Sequence, residues 1–365
     1  MTEHNPYPFI LPAEWYPQSG IELTWPHAGT DWAPYLPQIT ETFIELTRVI
    51  AQHEQVLIVA PDVAAVKTQL TEVLPPHLLR NVVYFECDTN DTWSRDHGAL
   101  TVVSTKKGRG LYVVNHLLDF KFNGWGDKFP AELDNAINLQ LYFGGVFNAA
   151  LTNHTDFVLE GGSIESDGKG TIFTTSSCLL APHRNQPLTR ENIDERLRIV
   201  LHARRVVWLD YGRLIGDDTD GHIDTIVRCA PADTLLYVGC DDAADEQYDD
   251  FRQLEEQLRG LRTLEGRPYR LLRLPMPDAI YDGEDRLPAT YANFVILNGA
   301  VIVPTYKQPD KDRQAMETIR QAFPDREVVG IDATTVVRQH GSLHCLTMQF
   351  PENVIGPDEV ARHFD

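Results

Sequence analysis

A chain of 365 residues with 53 acidic against 32 basic side chains carries a formal charge of -21, and it has no basic stripe interleaved with aromatics, which counts against a nucleic-acid partner. No run reaches the roughly 20 apolar residues that a bilayer span needs, and the first twelve residues lack the basic start and apolar stretch of a secretory signal, so a cytoplasmic protein with no membrane contact is expected. Five cysteines, Cys87, Cys178, Cys229, Cys240 and Cys345, none of them in C-x-x-C spacing, argue against a disulfide framework and against structural zinc.

After a Pro-rich start, residues 21–26 read as a short strand, 36–51 as a helix with Ile39, Phe43, Leu46 and Ile50 on one face, and 56–60 as a buried strand. A loose repeat of strand, strand, helix and strand then runs along the chain. One copy starts at 98–103, crosses a turn at 106–110 to a strand at 111–114, and has its helix at 131–141. The next takes strand 157–165, a turn at 167–170, strand 171–175, helix 190–202 and strand 205–209. A third takes 221–227, 235–239, helix 245–258 and 269–274, and a fourth 291–297, the Asn298-Gly299 hairpin turn, 300–303, helix 312–323 and 327–331. The N-terminal strand and the strand after Cys345 supply a fifth unit from both chain ends. Since no linker-like run divides the chain, residues 1–365 are expected to form a single α/β domain, a pseudo-symmetric five-bladed propeller.

The reactive residue types fall at one phase of this repeat. Asp96, Glu160, His222 with Asp224, Asn293 and Cys345 each sit at or before the opening strand of a unit, so blades arranged about a centre would bring them together. Taken singly, each has an ordinary structural explanation: a half-buried thiol, a satisfied core histidine, a loop ion pair, a turn carboxylate. Taken together, a thiol, an imidazole and three carboxylates suit one kind of substrate. The thiolate is the nucleophile and histidine the group that protonates a leaving nitrogen. Carboxylates around a thiolate oppose its formation unless a cation sits among them, and a guanidinium presents its donors in a fork that matches carboxylates pairwise. Attack of Cys345 on a guanidinium carbon is therefore expected, with a small cationic guanidino compound as partner.

The strings that carry this constellation are Asn90-Asp91-Thr92-Trp93-Ser94-Arg95-Asp96-His97-Gly98, Phe122-Asn123-Gly124-Trp125-Gly126, Leu159-Glu160-Gly161-Gly162, Asp220-Gly221-His222-Ile223-Asp224, Arg286 to Phe294, and His344-Cys345. In order and over nearly the whole chain, they resemble agmatine deiminases, a group of guanidine-modifying enzymes related to the bacterial peptidylarginine deiminases. The resemblance implies a five-bladed α/β propeller, no metal and no organic cofactor. It also implies Cys345 as nucleophile, His222 as acid and then base, and Asp96, Glu160 and Asp224 holding the guanidinium. Trp93 would wall the pocket and Asn293 would support it. The acidic run that includes Asp218 either meets the distant amine of agmatine or forms a solvated loop. Two stretches depart from the family pattern, His97-Gly98-Ala99 and Gln339-His340-Gly341-Ser342-Leu343. The alternatives are a deiminase for another guanidino compound or for peptidyl arginine, a non-catalytic guanidino-binding propeller, and a metal hydrolase, which finds no supporting ligand spacing. Homo-oligomerisation is left open.

Overall fold

The computed structural model describes residues 8–105 and 115–356. Among them, five sheets share one wiring: an opening strand lies antiparallel to a middle strand, and the middle strand lies parallel to a third that follows a helical crossover. In the first sheet, Met348–Pro351 is the opening strand, beside Gln18–Thr24 and then Gln55–Ala60, with Val82–Glu86 added at the edge. The second runs Leu100–Ser104, His116–Lys121 and Ala150–Val158, with Phe9–Ile10 on its outer edge. The third runs Ile164–Ser166, Thr171–Thr175 and Arg205–Leu209, and the fourth Val227–Ala230, Thr234–Gly239 and Arg270–Pro275. The fifth runs Val295–Ile296, Ala300–Thr305 and Glu327–Asp332. Both chain ends thus share the first sheet, as expected.

The middle strands are paired on both sides and buried along almost their whole length, which is why Ala300–Thr305 and Thr234–Gly239 read as apolar runs without alternation. The crossover helices lie over them with one apolar stripe each. Leu36–Ile50 buries Ile39, Phe43, Leu46 and Ile50, and Tyr248–Gly260 buries Phe251, Leu254 and Leu258. Arg190–Val200 starts on a capping box between Thr189 and Asn192, and Pro309–Ala322 starts on proline, both ordinary ways to open a helix.

The differences from expectation are concentrated in the opening segments. Residues 221–227 and 291–297 are not continuous strands: Ile223–Thr225 forms a 3-10 turn, and the strands begin only at Val227 and Val295. Residues 157–165 are likewise split, the first part completing Ala150–Val158, the middle forming the turn Gly161–Ser163, and Ile164–Ser166 opening the next sheet. In each case polar residues and glycines turn the backbone on itself, where a strand would alternate its side chains between faces. The expected helix at 131–141 is a 3-10 turn, Asp134–Ala136, followed by Ile137–Phe143. The expected turn and strand at 106–114 lie outside the described residues. The helix Val63–Val73 and the hairpin Ile280–Asp282 with Asp285–Leu287 extend the pattern beyond the repeat.

Glu22, at the centre of the strand Gln18–Thr24, is fully buried, and neither carboxyl oxygen has a hydrogen-bond partner. Burial, with the charge of Asp134 adding to it, pushes its carboxyl up to about 8. The unfolded chain ionises this group near pH 4.3. Between that pH and about 8, then, the unfolded state gives up a proton the folded state keeps, and stability falls as pH rises. Glu22→Gln is expected to remove this decline. In urea unfolding between pH 5 and 9 the variant should gain on the parent as pH rises, and a constant difference would show that Glu22 is ionised in the fold.

Candidate active site

The segments that precede the opening strands carry the residues singled out above, and hydrogen bonds join one segment to the next. Asp96 sits in the single helical turn Ser94–His97, whose end Gly98 closes. Gly161 and Gly162 allow the next turn to come against it. A β-carbon on Gly161 would lie 2.2 Å from the carbonyl of Arg95, and one on Gly162 would lie 2.6 Å from His222 Nδ1 and 2.9 Å from Asp96 Oδ1. In place of that clash, Gly162 donates its N–H to Asp96 Oδ1 at 3.1 Å. His222 follows a backbone reversal at Asp220 and Gly221, both at positive φ, and its N–H is held by Thr219 Oγ1 at 3.0 Å. Asn293 accepts from the backbone N–H groups of His344 and Cys345, and lies 3.4 Å from Cys345 Sγ. The N–H of Arg95 donates to the carbonyl of Cys345 at 3.2 Å, returning to the Asp96 turn.

These segments enclose one end of a cavity of about 230 Å³. Cys345, His222 and Asp96, all buried, line that inner end. Trp93, Trp125 and Phe129 form aromatic walls, with the Trp93 and Trp125 rings 6.4 Å apart and nearly perpendicular. Asp31, Asp91, Asp217 and Asp218 line the outer part, and no Lys or Arg lines it among the described residues. Trp125 Nε1 donates to Asp96 Oδ2 at 2.9 Å, and Trp93 Nε1 to Asp91 Oδ2 at 3.1 Å, so the indoles orient the acids they border.

Glu160, Asp224 and Asn293 stand behind this surface. Glu160 is fully buried and accepts from Arg184 Nε at 3.0 Å, while the other nitrogens of Arg184 hold Asp220 and the carbonyl of Thr219. Arg184 thereby clamps the loop before His222. Asp224 Oδ2 lies 2.7 Å from His344 Nδ1, and its Oδ1 is buried without a partner. Both ring nitrogens of His222 also lack a hydrogen bond, although Nδ1 is 3.6 Å from Asp96 Oδ1.

Burial lifts the Asp96 carboxyl to about 6, with Asp224 and Glu160 adding to the effect and His222 opposing it. Burial works against a charged His222, but the carboxylates of Asp96 and Glu160, with the Cys178 sulfur beside the ring, outweigh it and hold the imidazole well above its ordinary range. Asp224 is held low, since the hydrogen bond and charge of His344 overcome its burial. The Cys345 thiol is pushed far up, by burial first and then by Asp224 and Asp96. With only these groups around it, the sulfur therefore carries its proton.

Cys178 has no role in the sequence pattern, yet its sulfur, a Glu160 oxygen and a His222 nitrogen lie within 4.8 Å of one another. Arg184 already engages Glu160, and burial keeps the Cys178 thiol protonated, so this group is a poor cation site. Arg184 and Trp125 were also given no role, although Trp125 lies within a quoted string. Glu14, which lies 2.8 Å from His344 Nε2 behind the site, gave no signal, being a lone acid near the N-terminus.

The family model of the Porphyromonas-type peptidyl-arginine deiminases matches residues 10–351. This chain belongs to that family. It is similar to the solved "Putative Arginine Deiminase" of Porphyromonas gingivalis, 46% identical with a TM-score of 0.88, the match covering 95% of this chain and 99% of that one. It is also similar to the substrate-bound agmatine deiminase of C. jejuni, 37% identical with a TM-score of 0.85, over 94% of this chain and 96% of that one. A Vibrio parahaemolyticus protein named "Putative agmatine deiminase" is 31% identical over 363 residues, 94% of this chain and 97% of that protein. These deiminase-family names span arginine, peptidyl arginine and agmatine, so the substrate has to be argued from the cavity.

The raised pKa of Cys345 gives an expected pH dependence. Alkylation of Cys345 by neutral iodoacetamide, followed by mass spectrometry of its peptide, should be slow at pH 7 and still climbing with pH above 9. A rate that levels off below pH 8 would mean that the acids beside the sulfur do not act on it.

Proposed function

We propose that the protein is a hydrolase of linear amidines that deiminates a small guanidino amine, with agmatine and water giving N-carbamoylputrescine and ammonia. The observation that carries this is the set of unmet acceptors around a buried thiol: Asp224 Oδ1 without a partner, Asp96 with capacity to spare, and an acid-lined cavity with no Lys or Arg in its wall among the described residues. A buried carboxylate left unpaired is costly, and a planar cation with paired N–H donors supplies what is missing.

In this reading Asp96 and Asp224 hold the guanidinium nitrogens, Trp93 and Trp125 border its plane, and Glu160 fixes the His222 loop through Arg184. The arriving charge favours the thiolate, whose proton is lost to solvent. Cys345 sulfur then bonds to the guanidinium carbon. A C–N bond of the resulting adduct breaks as His222 gives its proton to the departing ammonia, leaving a thiouronium on the enzyme. Water attacks the same carbon, His222 takes a proton from it, and the C–S bond breaks to release the ureido product. Asn293 keeps the sulfur in register. Asp218, half-buried in the outer cavity and lifted to about 6 by burial and Asp217, is assigned to the distal amine.

A substrate with a free carboxylate would meet Asp31, Asp217 and Asp218 at the outer end and no Lys or Arg among the described lining residues, which disfavours arginine. The five sheets of common wiring, and the hydrogen bonds between their opening segments, support a five-bladed propeller formed by the chain as a single domain. Five free, buried cysteines fit a reducing cytoplasm. Among the described residues no helix is long and apolar enough to cross a membrane.

Ammonia release measured with agmatine, arginine, guanidinobutyrate and a peptidyl arginine should favour agmatine. Cys345→Ala should remain folded with no turnover, and substantial residual activity would end its assignment as nucleophile. Asp96→Asn should lower kcat/KM by roughly 30-fold to several thousand-fold, equivalent to about 2–5 kcal/mol. Unchanged kinetics in that variant would refute the carboxylate cage.

A further inference from the structure

We propose that His340, with the short strap of chain from 338 to 341, fixes the length of substrate the cavity admits, restricting it to compact guanidinoalkyl amines and excluding arginine within a peptide. The proposal rests on the deiminase reading and deepens it.

The cavity has a closed inner end at the buried residues Cys345, His222 and Asp96, and an outer end at the half-buried Asp217, Asp218 and His340 and the exposed Asp31. The strap ties the two sides of that outer end together. On one side Gln339 Nε2 donates to the carbonyl of Asp31 at 3.1 Å, and the Arg338 guanidinium lies 4.1 Å over the ring of Tyr35. On the other, His340 Nδ1 lies 2.7 Å from the carbonyl of Gly216, and Arg338 pairs with Asp282 at 3.0 Å. Gly341 continues the strap against Trp93, so close that a β-carbon there would lie 2.2 Å from the indole.

His340 adopts φ +62, a left-handed conformation that glycine takes more readily. An imidazole stands there all the same and lines the cavity beside Asp218. A carbonyl oxygen only accepts, so Nδ1 carries the proton toward Gly216 and Nε2 of the neutral ring is left as an acceptor. That acceptor and the Asp218 carboxylate suit the ammonium of a short diamine. Asp218 is itself held in place, because its backbone carbonyl accepts from Lys128 Nζ, which also pairs with Asp220. At about 230 Å³ the cavity lies below the usual range of roughly 300–1,000 Å³ for drug-sized ligands. A peptide backbone would have to lift the strap from both walls.

The test measures kcat and KM for ammonia release from guanidinoalkyl amines of three to six methylenes and from a peptidyl arginine. It compares the parent protein with His340→Gly and His340→Asn. Glycine suits the left-handed backbone, so His340→Gly is expected to fold. Its preference for the best short amine over the longest one should fall at least tenfold, mainly through KM of the long amines, and turnover of the peptidyl arginine should appear. Asparagine tolerates the same backbone and keeps a donor for Gly216, so His340→Asn should retain the parent's order of preference at reduced rates. An unchanged length profile in His340→Gly overturns the proposal, as does a parent protein that already turns over peptidyl arginine as well as the short amines. If the parent releases ammonia from none of these compounds, the deiminase reading itself fails, which is a separate outcome from a working enzyme indifferent to residue 340.

Discussion

Arg228, a guanidinium with no access to water, is the tie on which the geometry of the site depends. Its Nη1 donates to the carbonyls of Ala292 and Phe294, at 3.0 and 2.6 Å, and so grips the backbone on both sides of Asn293. Its other nitrogens reach Glu165, on the opening strand of the third sheet, Glu14 near the N-terminus, and His344 Nε2 at 3.0 Å. Asn293 in turn holds the backbone N–H of Cys345, and His344 holds Asp224. One side chain therefore links three sheets and the N-terminal segment to the two neighbours that place the sulfur. Buried ion pairs of this kind add little net stability over a well-packed apolar core, but removing one partner strands the other at a cost of about 3–5 kcal/mol. Here the network's contribution is registry more than stability: four chain segments are aligned by a group that tolerates no slip.

The charge balance around that network sets the chemistry of the cavity. Behind the site, the acids are paired: Glu14 is shared by Arg95, Arg228 and His344, and Glu160 is met by Arg184. Glu14 is accordingly held well below the usual carboxylate range, the guanidinium charges of Arg228 and Arg95 and its contact with His344 overcoming its burial. Facing the cavity, Asp96, Asp91 and Asp218 form no ion pair with Lys or Arg among the described residues, and burial lifts all three to about 6, although His222 stands 3.6 Å from Asp96. The buried arginines thus serve the scaffold, and His222 alone among the buried basic groups faces an otherwise acidic cavity. Under the deiminase reading the substrate brings the missing charge, and the thiol that is inert in the empty site becomes a nucleophile only beside its target. That arrangement also guards a buried cysteine against alkylation and oxidation by neutral reagents.

Much of this was legible in the sequence because the repeat and the reactive residues carry the same phase. The crossover helices were found within a few residues, since a stripe such as Phe251, Leu254 and Leu258 has only one explanation. The opening segments were misread as strands because their apolar residues, such as Ile223 and Ile226, fit a strand as well as a buried turn. What decides between the two is the local hydrogen bonding of His222 and Ile223, which composition does not reveal. Cys345, His222 and Asp96 could be placed in one pocket from the repeat. That Glu160 is engaged by Arg184 and set behind His222 could not, because the pairing joins residues whose spacing follows no period. Glu14 and Arg228 illustrate the same limit: 214 positions separate them, and each looks like an ordinary surface charge until the chain is folded.

The two stretches that the resemblance sets apart, 97–99 and 339–343, have different physical weight. His97 adjoins Asp96, yet its ring turns away from the cavity toward the first sheet, with Nε2 3.2 Å from Thr24 Oγ1. Burial depresses it to about 3, so it stays neutral and adds no charge beside Asp96. The carbonyl of His97 and the N–H of Ala99 are both held by the Asn138 side chain, so this departure is absorbed by the scaffold that supports the Asp96 turn. His340 has no such backing. It lines the cavity and meets the opposite wall through one hydrogen bond to a backbone carbonyl, at a position whose conformation a glycine would hold more easily. A side chain held against its backbone preference, at the mouth of a cavity whose inner end is a buried thiol, imidazole and carboxylate, is placed to act on what enters without touching the reacting atoms.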